Sequence, residues 1–167
     1  MKNVVALVAV LLTVACSSST APDNRPTWAD GSWKGTVTMQ SGTTLNIAFQ
    51  LRSVVGRNQY GSADIWFVEM VAPRVENVLA GKSTETVSGG WDDRFKSFNV
   101  GFTPESVSEP APACPQGNTP GGVANFAVYQ TDLKLVGDGE LAGPVKLICF
   151  FPGDLVLDSK PIVIRRI

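Results

Sequence analysis

At 167 residues, 44% of them hydrophobic and 17% charged, the chain has room for one domain with a real core. Its 14 basic and 15 acidic side chains nearly cancel, and no basic block or aromatic–basic interleaving appears, which sets nucleic acid aside as a partner. Histidine is absent, so the commonest general base and metal ligand is missing, and only three cysteines are present.

The chain opens with Lys2 followed by the apolar run 4–15, VVALVAVLLTVA. Twelve residues rise only about 18 Å as a helix, too short for a hydrocarbon core of about 30 Å. A positive start, a short apolar core and small residues before the break mark a secretory signal peptide over residues 1–15. Leu12-Thr13-Val14-Ala15-Cys16 then resembles the lipobox of bacterial lipoproteins, with Thr13 where that family usually carries Leu. The resemblance implies cleavage before Cys16, lipidation of that cysteine and a lipid-anchored place in the bacterial cell envelope. Several acyl chains hold a protein on a membrane where one binds reversibly. Ser17 after the cysteine resembles the outer-membrane sorting pattern of proteobacterial lipoproteins. Residues 16–27 read as a flexible tether, because Ser, Thr, Pro and Asn bury nothing. A single domain is expected over 28–167.

With Cys16 assigned to lipid, Cys114 and Cys149 remain as an even pair in an exported protein, which reads as a disulfide. Closing the loop 114–149 is worth roughly 4 kcal/mol by chain entropy. Two buried free thiols are the other reading. Neither reading makes a metal site, because nothing completes the ligand set; no metal and no cofactor is expected.

From Trp33 onward the chain is written in twos. Polar residues fall on alternate positions from Trp33 to Gln40, and Leu45, Ile47, Phe49 and Leu51 share a face, with Ser41-Gly42 read as a two-residue hairpin turn. Strands are expected at 61–72, 83–91, 95–102, 123–130, 133–136, 140–151 and 155–166, with a bulge or break between 130 and 133. The segment 103–121 carries five prolines and reads as an irregular loop pinned by Cys114. No stretch of eleven or more residues after 28 keeps helical spacing. Eight to ten short strands with tight turns define an all-β protein, an antiparallel up-and-down meander closing into a barrel, or a β-sandwich.

Gly31-Ser32-Trp33 opening the first strand and Ile164-Arg165-Arg166 ending the last resemble the lipocalin and avidin group of small barrels. There a Gly-x-Trp begins strand one and a basic residue of the last strand closes over the tryptophan. The resemblance implies barrel closure by Trp33, Arg165 and Arg166. An arginine can stack on an indole while bonding to backbone carbonyls. The chain lacks the helix that lipocalins place before their final strand.

No catalytic constellation appears, and the chain is not expected to be an enzyme. Asp92 and Asp93 are adjacent and read as turn residues. A small barrel is either filled by side chains or holds one small ligand. The candidate lumen residues are Trp33, Phe49, Trp66, Glu69 and Phe98. If Ile65, Phe67 and Val71 face inward, Glu69 is a lone carboxylate in an apolar lumen; if Trp66, Val68 and Met70 do, Glu69 is solvated. The aromatics suit core packing as well as a pocket wall. The expected role is therefore non-covalent binding of a small apolar ligand. The alternative is a structural or partner-binding envelope protein with a filled barrel, resembling periplasmic proteinase inhibitors, with Trp28 as an exposed anchor.

Overall fold

The computed structural model describes residues 25–57, 61, 64–92, 96–114, 127–150 and 153–167. The signal segment, Cys16 and Asp93 therefore lie outside the described residues. Among the described residues nine strands form: β1 (Gly31–Thr38), β2 (Thr44–Arg57), β3 (Asp64–Asn77), β4 (Lys82–Thr84), β5 (Ser88–Asp92), β6 (Ser97–Phe102), β7 (Ala127–Gly137), β8 (Glu140–Cys149) and β9 (Leu155–Arg166). All pairings are antiparallel, in the order β4-β3-β2-β1-β9-β8-β7-β6-β5. First and last strands are thus neighbours, as in an up-and-down barrel, with Trp33 opposite Arg166. The sheet curls strongly into a half-barrel, and its two free edges fall at β4–β3 and at β5.

Alternation explains the buried face. Leu45, Ile47, Phe49 and Leu51 of β2 are all buried, and so are Trp33 and Val37 of β1 opposite them. Phe98, Val100 and Phe102 of β6 lie beside Leu133, Thr131 and Tyr129 of β7 on the same buried face of the sheet. The β1–β2 connection is one residue longer than expected. Met39 and Thr43 bond across it, and Gly42 takes φ 89°, so Gln40, Ser41 and Gly42 form a three-residue loop. The expected break between 130 and 133 does not occur. Strand β7 runs through it with Ala127, Tyr129, Thr131 and Leu133 buried in strict alternation. Thr131 is polar but faces inward, and that disguises the period.

A bulge on β3 decides the site. Ala48 pairs with Arg74 and Gln50 with Val71, so Phe49 alone faces two residues, Ala72 and Pro73. Ala72 adopts φ 47°, a left-handed conformation that alanine rarely takes. The extra residue flips the alternation along β3. Val75 and Asn77 point inward above the bulge, while Trp66, Val68 and Met70 share the face of the inward β2 residues below it.

The loop after β6 is less irregular than its prolines suggest. A single 3-10 turn, Pro104–Val107, places Val107 wholly inside, and Asn77 reaches the Val107 carbonyl through its side-chain amide. Beyond it Cys114 is disulfide-bonded to Cys149, with Cα atoms 5.8 Å apart, so the two cysteines form the expected bridge. Residues 115–121 of that loop lie outside the described residues.

Candidate functional site

Two ends can be distinguished. One carries Gly31, Arg57, Asp64, Gly137 and Arg166; the other carries the β1–β2 loop, the disulfide and the β8–β9 turn. The first end is closed by the chain entering the fold. Trp33 is 1% exposed and its indole N–H donates to the Ala29 carbonyl at 3.0 Å. Arg166, its partner across β1–β9, donates to the Trp28 carbonyl at 3.3 Å and to Asp138 at 3.1 Å. Gly31 makes room for this arginine. A Cβ there would come 3.1 Å from the Arg166 chain, on a backbone with φ +140°. Arg165 takes no part in the closure. Alternation turns it outward, where it pairs with Glu140 at 2.8 Å.

The entering segment is itself part of the structure. Ser53 donates its hydroxyl to the Pro26 carbonyl and its backbone N–H to Asp30. Residues 25–27, expected to belong to the tether, are folded onto β2. Asp30 is pushed up by its partial burial but pulled down further by the Ser53 N–H and hydroxyl and by the Arg25 guanidinium, so its carboxyl lies below the usual range. Arg25 bonds to Asp30 at 2.6 Å and places its guanidinium 5.7 Å from the Trp66 ring centre.

Between the free edges of β3 and β5 lies a cleft of about 970 Å³, lined by Trp28, Trp66, Val68, Trp91, Lys96 and Leu135 among others. Its floor is an aromatic column running from the core to the surface. Phe49 and Phe98 lie 6.1 Å apart between ring centres, Phe98 and Trp91 4.9 Å, and Trp91 and Trp28 5.2 Å. Phe49 and Phe98 are fully packed and serve as foundation, whereas the tryptophans are half-buried and face the opening. Three indoles on a concave apolar surface of this volume suit a small ligand.

The five expected lumen residues therefore separate. Trp66 lines the cleft; Phe49 and Phe98 support it from beneath; Trp33 is sealed in the core at the closed end. Glu69 is not in the lumen. The Ala72 bulge turns it outward, where its side chain is 46% exposed and bonded to Arg52 at 2.7 Å. Trp91 and Leu135 were invisible as site residues, since each sits at a strand end where alternation fades.

The opposite end holds a smaller cavity of about 420 Å³, walled by Pro110 and Pro112 and by Leu147 and Leu157. Tyr129 lines it and donates its hydroxyl to Glu109 at 2.6 Å. Burial first, then that carboxylate, hold the Tyr129 phenol well above its ordinary range. Among the described residues, no group of three or more Asp, Glu or Cys is placed to hold a metal ion.

What is defined here is a nine-stranded antiparallel half-barrel, stapled by a disulfide and carrying an aromatic cleft at its open seam. Comparison with protein-family models, with curated proteins and with solved structures gave no match.

Proposed function

We propose that this chain is a lipid-anchored envelope protein that binds a small apolar ligand, without catalysis, in the cleft between β3 and β5. The observation that carries the reading is the aromatic column: Trp28 and Trp91 continue the core out to an opening faced by Trp66. Half-exposed indoles are costly to leave against water and are covered by an apolar guest at little ordering cost. The anchor rests on the lipobox resemblance at Cys16. Titration with the uncharged fluorophore N-phenyl-1-naphthylamine tests the site. Saturable binding with energy transfer from tryptophan, weakened by Trp66→Ala, supports it, and a linear unsaturated response contradicts it. For the anchor, Cys16→Ser should release the protein from membranes, and unchanged partitioning would contradict it.

A second reading, as a partner-binding envelope protein, draws on the far end. There Val78, Leu79, Phe150, Leu155, Val156 and Leu157 are all exposed around the two turns. Apolar turns clustered at one end favour a protein surface over solvent.

A further inference from the structure

The placement of Arg25 says something about the charge of the guest. We infer that the rim of the cleft is a site for an organic cation, formed by the face of Trp66 and the carboxylate of Asp30 and filled in the free protein by the guanidinium of Arg25. This rests on the cleft reading above and adds the ligand's chemical class, an apolar body carrying a quaternary ammonium or guanidinium head.

Three observations meet at this point. The Arg25 guanidinium lies 5.7 Å from the Trp66 ring centre, within the range where an indole face attracts a cation. The same group is bonded to Asp30 Oδ2, while Asp30 Oδ1 is separately fixed by the Ser53 N–H at 2.6 Å. The carboxylate is therefore held in place by β2 and stays there if Arg25 leaves. Trp66 also lines the cleft, as does Pro26 next to Arg25 in the chain, so the cation position borders the apolar cavity.

Arg25 is a weak occupant. Its side chain is 52% exposed, and exposed ion pairs and exposed cation–π contacts together favour the docked state by on the order of tenfold. An incoming cation inherits both partners and adds burial of its apolar body, which Arg25 cannot supply. Among the described residues that line the cleft, the charged ones, Asp92 and Lys96, are of opposite sign. The selectivity therefore comes from the Trp66–Asp30 pair.

Three probes sharing a six-carbon tail separate head-group charge from apolar binding: hexyltrimethylammonium, hexan-1-ol and hexane-1-sulfonate, titrated calorimetrically into the intact protein. The cation is expected to bind about fivefold or more tighter than the alcohol, with the sulfonate weakest. Arg25→Ala, by removing the tethered competitor, should tighten the cation several-fold and leave the alcohol within about twofold. Trp66→Leu should erase the cation's advantage while retaining some affinity for all three. Equal affinity for cation and alcohol, or a cation affinity indifferent to Arg25→Ala, overturns the inference and leaves the apolar cleft standing. Failure of all three probes to bind overturns the cleft reading along with it.

Discussion

Trp28 and Trp91 meet with ring centres 5.2 Å apart, one carried by the segment that enters the fold and the other by β5 at the edge of the sheet. The contact bridges the N-terminal segment and the free edge of the sheet, and the same pair walls the cleft. Packing and site are therefore coupled there. Trp28→Ala should lower stability by about 2 kcal/mol, less than a fully buried tryptophan because the ring is half-exposed. The urea midpoint measures this, with the exposed neighbour Thr27→Ala as a control expected within about 0.5 kcal/mol of the parent.

The last two arginines should differ sharply. Arg166 spans the Trp28 carbonyl and Asp138, whereas Arg165 makes one surface pair with Glu140. Arg166→Ala should cost about 1 kcal/mol and Arg165→Ala less than about 0.5 kcal/mol, read as melting temperatures. Arg166→Lys should recover less than half, since one ammonium cannot reproduce a planar fork reaching two acceptors. Equal effects at 165 and 166 would contradict the closure by Arg166.

Glu69 faces solvent beside Arg52, so Glu69→Gln should change stability by no more than about 0.5 kcal/mol. Its effect on N-phenyl-1-naphthylamine binding should be negligible. A large loss of binding would place the carboxylate in the cleft after all.

Much of this architecture is legible in the chain. Alternation in β1, β2 and β6 reports directly which side chains are buried, because one face meets the core and the other meets water. The cysteine pair is legible too, once Cys16 is assigned elsewhere. What the alternation does not show is where it changes phase. From Val75 downward an unbroken period of two puts Glu69 inside; the Ala72–Pro73 bulge reverses that, and nothing in the apolar pattern of 64–72 marks it. Pro73 is the available signal, since a proline within a strand lacks a ladder donor and favours a bulge or an edge. The cleft is harder still. It depends on β4 pairing with only residues 75–77 of β3, which leaves the lower part of that strand as an edge. Strand-to-strand pairing over such distances has no local signature.

Asp30 makes the pH dependence specific. Ser53 and Arg25 hold its carboxyl below the usual range, so the native state favours the ionised form. A depressed folded pKa gives stability that is fully present above the unfolded value, near about 3.9, and is lost as pH falls through the folded value. The stability difference between the parent and Asp30→Asn should thus be constant from about pH 5 to 8 and shrink from about pH 4 downward. Urea melts at several pH values measure it. A difference that grows on acidification would carry the wrong sign.

On the reading proposed above, the seam between β3 and β5 holds a small molecule. Native mass spectrometry of the protein purified without denaturation from its own host tests this most directly. A stoichiometric small-molecule adduct that is depleted in Trp66→Ala is expected; bare protein of the expected mass, in parent and variant alike, would rule the occupant out.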